Sequence, residues 1–276
     1  MLPLAERSLP QAPVHQRANG CLDIALKAEG EHTRVARFYQ EGCLKARQFR
    51  SRDRLELVSM NVSGGVAGGD VLTSRVELDA GTKAVFTSQA AERVYKTLGD
   101  ASKIRTKLSL CQDAALNYLP QETILFDGFS LDRTLELDLV DSAKCVGLES
   151  IVFGRAAMGE VIRSGILRDR IILRRNGNEI WRDVMTVNGD IAAYLGAPST
   201  VVRVQAMANV FSVGINRYNI LPGLKDALGS RIAGIGINKD IMLLRIIAEE
   251  AIILKRAMIT ALDHLNISTI PGIWQI

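Results

Sequence analysis

Apolar and polar residues alternate with a period of two through most of the first two thirds of the chain, the pattern of strands that cover one face and wet the other. In Ser102–Leu110, Ile104, Thr106, Leu108 and Leu110 fall on one side and Lys103, Arg105, Lys107 and Ser109 on the other. Thr134–Val140 repeats the arrangement, with Leu135, Leu137 and Leu139 opposite Glu136 and Asp138. Val71–Leu78 and Thr82–Ser88 are separated by Asp79-Ala80-Gly81, which predicts a strand-turn-strand connection. Arg170–Arg175 and Glu179–Val184 flank Asn176-Gly177-Asn178, where Asn-Gly can take the positive φ angles of a tight hairpin. No helical segment interrupts this series.

Helical patterning gathers late. Pro222 and Gly229 bracket Leu224–Leu228 in the positions where a helix starts and stops. A longer helix is expected over about residues 249–264, with Leu254, Met258, Ala261 and Leu265 at helical spacing, Glu249 and Glu250 at the positive end of its dipole and His264 at the negative end. Such an apolar face packs on its own domain or docks on another helical protein. Leu254, Met258 and Leu265 are the candidate partner-binding residues. Neither a repeat of 20–50 residues nor a shift of composition divides the chain, so no regular solenoid is implied by the sequence. The reading is a mainly β protein, one domain over 1–276, β-rich over about 17–215 and helix-containing over about 216–276.

A chain of 276 residues with 47% hydrophobic and 23% charged positions can bury a large core and leaves little room for disorder. The net charge of +4 is too small to point to nucleic acid. Seven bases between Arg34 and Arg54 face only Glu41 and Asp53, which suits a solvated strand edge as well as a docking face for an acidic partner. The longest run free of charge is about 13 residues, short of the roughly 18 that span a bilayer as a helix. Pro3, Pro10 and Pro13 break any apolar leader, and a cytoplasmic protein is expected. Cys21, Cys43, Cys111 and Cys145 have no CxxC spacing and read as packed, reduced thiols.

Candidate chemistry is thin. Ser63–Asp70 holds four glycines in six residues, and Gly64 and Gly69 have the spacing of a phosphate-binding loop. Asp70 stands where that loop needs lysine, and a strand follows instead of a helix. The glycines therefore serve close backbone approach or positive φ at a sheet corner. His15, His32 and His264 are the only histidines and none is paired at ligand spacing, which argues against a tight metal site. No GxSxG elbow occurs. Carboxylates such as Asp70, Glu122, Asp127, Glu149, Glu160 and Asp183 lie near glycine, proline or strand ends, but no glycosidase pair stands out among them.

The same segments carry a resemblance. Ser63–Asp70 (SGGVAGGD), Thr87–Tyr95 (TSQAAERVY), Leu119–Gly128 (LPQETILFDG) and Glu149–Glu160 (ESIVFGRAAMGE) resemble, in order, the signature blocks of the UreD family of urease accessory proteins. Phe38–Gly42 with Leu44-Lys45, and the Gly177 hairpin with Trp181 and Asp183, are similar too. The likeness covers residues 17–190 strongly and the rest weakly. Asn117-Tyr118 stand where the family usually has an acidic residue and tryptophan, Ser88 where threonine is common, and Pro271-Gly272-Ile273-Trp274 lacks the arginine of the family's ending.

The resemblance implies a β-rich fold with strands layered in a helix-like winding and about two α-helices near the C-terminus. It implies a non-catalytic scaffold or chaperone that assembles with UreF and UreG on apo-urease, where GTP hydrolysis by UreG is coupled to nickel insertion, and it leaves room for a homodimer within that complex. No cofactor is expected to be held tightly, and nickel is at most in transit. An ion crossing a protein needs weak oxygen ligands, and buried carboxylates lower its electrostatic cost. Asp70, Glu122, Asp127, Glu149 and Glu160 are the candidates for such a path; the alternative for each is a carboxylate capping backbone N–H groups at a bend. Two further readings stand beside the conduit: a passive assembly platform for UreF and UreG, and an enzyme with acid/base residues in a deep pocket.

Overall fold

The computed structural model describes residues 16–51, 54–155, 160–195, 204–266 and 270–275. The strands are β1 (Asn19–Glu29), β2 (His32–Gly42), β3 (Leu44–Ser51), β4 (Arg54–Asn61), β5 (Val71–Leu78), β6 (Lys83–Ser88), β7 (Glu92–Val94), β8 (Ser102–Leu110) and β9 (Ala115–Leu119). They continue as β10 (Thr123–Leu125), β11 (Phe129–Leu139), β12 (Lys144–Phe153), β13 (Ser164–Arg175), β14 (Asn178–Asp190), β15 (Ala206–Val213), β16 (Ile232–Asn238) and β17 (Ile241–Ala248). The three α-helices among the described residues, α1 (Ile191–Leu195), α2 (Leu221–Leu228) and α3 (Ala251–His264), all lie late in the chain. The mainly β expectation with helices near the C-terminus holds, with one-turn α1 in addition to the two expected.

The strands form two sheets. The first has the order β14-β13-β11-β8-β5-β1-β2, and the second runs β16-β17-β15-β12-β9-β6-β4-β3 with β7 and β10 attached beside β12. From β4 to β13 the chain passes alternately between the two, so each strand pairs in parallel with the one laid down a winding earlier. Leu72 lies beside Ile104, Ile104 beside Arg133 and Arg133 beside Asp169 in the first sheet. Phe86, Tyr118 and Gly147 line up the same way in the second. Each winding takes about 30 residues, a solenoid-like period that leaves no sequence repeat because a rung asks only for the right inward parity. The layered, helix-like winding implied by the resemblance is therefore present, although no sequence repeat announces it.

The strand-turn-strand connection expected at Asp79–Gly81 is present, and its two strands lie in different sheets. Val71–Leu78 belongs to the first sheet and Lys83–Ser88 to the second, so the three residues turn a corner between sheets instead of closing a hairpin. Asn176-Gly177 does close one: β13 and β14 are antiparallel, and Asn176 and Gly177 have φ of 50° and 78°. The basic strands β2 and β3 are the free edges of their sheets, where repelling charge discourages further pairing. Part of that charge is already matched, since Arg34 pairs with Glu29 at 2.8 Å and Arg37 with Asp23 and Glu77 at 2.7 and 2.8 Å.

Two apolar clusters result. One fills the gap between the sheets, with Leu22, Ile24, Leu57, Leu108, Leu137 and Leu167 fully buried. The other lies between the outer face of the second sheet and α2 and α3. Alternate residues of a strand such as β12 enter different clusters: Cys145 and Ile151 face the first, Val146 and Leu148 the second. Trp274 seals the second cluster, its indole N–H donating to Thr87 Oγ1 and to the Leu119 carbonyl, both at 3.2 Å.

Candidate functional site

The apolar gap between the sheets is interrupted by one polar seam. Arg133 projects inward from β11 and makes two parallel hydrogen bonds to Asp169 on β13, Nε to Oδ1 at 2.8 Å and Nη2 to Oδ2 at 2.7 Å. Its Nη1 reaches across to the second sheet, pairing with Glu149 at 2.5 Å and donating to Thr123 Oγ1 at 3.0 Å. Tyr118 on β9 donates its hydroxyl to the other Glu149 oxygen at 2.9 Å. Arg133, Glu149 and Asp169 are 4–5% exposed, so solvent does little to soften their charges.

Burial pushes the Glu149 carboxyl up, and the nearby Asp169 adds to that against the opposing pull of Arg133. Burial works against the Arg133 cation, but Asp169 and Glu149 outweigh it and raise its pKa. Burial and Glu149 together hold the Tyr118 hydroxyl well above its ordinary range. One cation thus serves two carboxylates, one of which is biased toward taking a proton. A guanidinium with two hydrogen bonds on one flank, and an ion pair with one hydrogen bond on the other, is a pin between sheets; it is no nucleophile–base pair.

A cavity of about 100 Å³ opens beside the seam, lined by Arg133, Glu149, Tyr118, Thr123, Gln121 and Glu92 among others. Glu92 begins β7 and accepts a hydrogen bond from Asn61 Nδ2 at 3.0 Å. Burial raises its pKa to about 7, so its carboxyl titrates near neutrality.

The five acids expected from the sequence occupy different surroundings. Asp70 is buried and caps two backbone N–H groups, Ala18 and Ala67, each at 2.7 Å. It ties down the corner where β4 in the second sheet leads to β5 in the first, and there Gly64, Gly65 and Gly69 all have positive φ. At Gly65 a side chain would strike the Tyr95 ring at 2.5 Å and the Arg93 carbonyl at 2.7 Å. Both structural roles expected of the glycines are present. Asp127 caps Arg163 and Ser164 at 2.7 and 3.0 Å, and those backbone donors lower its pKa. Glu160 sits beside it, accepting at 3.4 Å from the Asp127 N–H and pairing with Arg155 at 2.8 Å; burial pushes its carboxyl up, and Arg155 more than offsets that. Glu122 is half-buried, and its carbonyl accepts from Glu92 N–H at 2.9 Å. Only Glu149 of the five stands in the seam. Among the described residues, no three His, Cys, Asp or Glu side chains converge closely enough to hold a metal ion.

Leu254, Met258 and Leu265 are 1–2% exposed and face this chain's own second cluster. Docking by α3 would have to use its outer side, where Ile252 is 51% exposed. Cys111 is exposed, unlike the packed thiol expected of it, while Cys145 is buried. His32 is exposed, His264 Nδ1 contacts the Thr260 carbonyl at 2.9 Å, and His15 lies outside the described residues, as do 156–159 of the fourth signature block.

Arg133, Asp169, Tyr118 and Glu92 were missed from sequence. A signal was there for two of them, and it accompanies Glu149 as well. Arg133 shares its parity with Leu131, Leu135 and Leu137, Asp169 with Leu167 and Ile171, and Glu149 with Cys145 and Ile151, so charged residues recur at positions where the pattern demands apolar ones. Glu92 gives no such sign.

Among known proteins, the profile of a family described as "UreD urease accessory protein" matches residues 18–275. A protein of Ruegeria pomeroyi named urease accessory protein UreD is 36% identical over 259 residues, covering 92% of this chain and 100% of its own. One of Sinorhizobium medicae with the same name is 36% identical over 266 residues, 94% of this chain and 96% of its own. A third, from Chelativorans sp. strain BNC1, is 35% identical over 275 residues, 99% of both chains.

Proposed function

Because the chain belongs to the UreD family of urease accessory proteins, we propose that it assembles with UreF and UreG on apo-urease and passes nickel along the polar seam between its sheets during GTP-dependent insertion. A part in urease maturation, as an accessory factor and not an enzyme, follows from the membership itself. The cytoplasm as its compartment, and a homodimer within the assembly, belong to the same proposal.

The observation that carries the conduit is the pair of carboxyls, Glu92 and Glu149, on one cavity beside the polar seam, each with its pKa raised by burial. A divalent cation entering there can displace a proton from each acid, which lowers the electrostatic cost of the ion and lets it leave when the proton returns. Among the described residues too few ligands converge to trap it, which suits a carrier. Arg133 opposes a cation, and its bond pair with Asp169 draws that charge to one side of the seam.

The test compares Glu149→Gln and Asp70→Ala with the parent in nickel-dependent urease activation, alongside capture of UreF and UreG. Activation is expected to fall at least several-fold in Glu149→Gln while the complex still forms. Full activation by Glu149→Gln would remove the conduit and leave the passive platform, in which positioning of UreF and UreG is the whole contribution.

A further inference from the structure

The outer face of the second sheet holds a second polar site, independent of the seam. Where the chain leaves α3, a cavity of about 310 Å³ is lined by Arg217, Lys144, Arg54, Asn117 and Asn266, with no acidic residue among the described residues of its wall. Arg217 follows β15 and is 7% exposed. Among the described residues its one hydrogen bond runs from Nε to Ser212 Oγ at 3.3 Å, and none of their carboxylates forms an ion pair with it. The contrast with Arg133 is direct: that buried guanidinium has two carboxylates, whereas Arg217 has none among the described residues and burial lowers its pKa. A desolvated guanidinium without a counter-charge is costly, and its free N–H groups want a planar pair of acceptors.

Lys144 opens β12 and is exposed, with no ion pair among the described residues. Arg54 opens β4 with Glu56 near it, so its charge is partly answered. The amide side chains of Asn117 and Asn266 add neutral donors to the wall. The carbonyl end of α3 lies close by and disfavours anions, but a helix terminus amounts to about half a charge against the full charges of Arg217 and Lys144. The positive potential wins.

We propose that this cavity is an oxyanion site, in which Arg217 takes a phosphate or carboxylate group through two hydrogen bonds and Lys144 neutralises the remaining charge. The volume exceeds a single such group, so the ligand carries more than the anion itself. The site stands whether or not nickel crosses the seam.

The experiment titrates the purified full chain with inorganic phosphate and, separately, with acetate, at constant ionic strength set by sodium chloride, reading heat and melting temperature. One site per chain is expected for at least one probe. Lys144→Ala should weaken binding about tenfold, the size of one charge-assisted hydrogen bond, and Lys144→Glu should abolish it. Arg217→Lys, which keeps the charge and loses the fork, should weaken it by at least as much. Lys144 is exposed, so its variants keep the test alive if Arg217→Lys does not fold. Saturation by phosphate alone identifies a phosphate ligand, and by acetate alone a carboxylate. Absence of binding for both probes below about 10 mM, or binding unchanged in Lys144→Glu, overturns the proposal.

Discussion

At the scale of single residues, the protein places its ionisable groups by how well each charge is answered. Arg133 stays charged in an apolar gap because Asp169 takes it bidentately and Glu149 closes the other side. Removing one partner of such a network leaves a buried charge, a loss on the order of 3–5 kcal/mol, although replacing the whole network by apolar residues can be neutral. Glu92 is the opposite case. Its pKa rises from 4.5 to about 7 on folding, so between those values the folded chain holds a proton that the unfolded chain has released. Stability must therefore fall as pH rises from about 4.5 to 7 and level off above, by up to about 3 kcal/mol. Urea unfolding at pH 5 and pH 8 should show that fall in the parent and a smaller one in Glu92→Gln; equal slopes would place the carboxyl in water.

Elements owe their positions to parity and to small residues set against large ones. On β12, Gly147 lies beside Phe211 of β15, and on β13, Gly165 lies beside Phe129 of β11; in each pair a Cβ on the glycine would collide with the ring. The phenyl groups cover the bare backbone, which fixes the register of both ladders. In α3 the apolar stripe is spent on the chain's own core. Leu254→Asp should cost more than about 3 kcal/mol in urea unfolding, as expected for a charge buried without a partner, whereas Ile252→Asp on the exposed side should stay within about 0.5 kcal/mol. Equal effects would mean that the stripe is not packed. A loss of UreF capture in Leu254→Asp would thus report a damaged helix and not a lost contact.

For the whole molecule, the second sheet is the shared wall of both apolar clusters. A strand such as β12 cannot leave one without opening the other, so melting of the two should be coupled. The two tryptophans report on different clusters: Trp181 packs against the gap between the sheets, and Trp274 closes the helix-side cluster. Single-tryptophan variants, Trp181→Phe and Trp274→Phe, should give coincident fluorescence midpoints in urea, as one cooperative unit over 1–276 requires. Separated midpoints would divide the chain at the helices. In the tail that carries Trp274, a side chain at Gly272 would meet open space.

The sequence by itself determined the strands, because period-two alternation is a local consequence of one face being covered: Ser102–Leu110 is a strand over the residues expected. It determined the Asn176-Gly177 hairpin through backbone sterics, the two late helices through their stops and stripe, and the family through four ordered blocks. Pairing was beyond its reach. Parallel partners lie about 30 residues apart and recognise only inward parity, so nothing in Asp79–Gly81 tells a sheet corner from a hairpin. The acids show the same division. Carboxylate type and position were legible, but whether an acid caps a backbone bend, as Asp70 does, or meets Arg133 between sheets, as Glu149 does, is decided by which strand arrives opposite. Charge matching across a core is a property of two chain segments at once, and only the tertiary structure brings both to the same point.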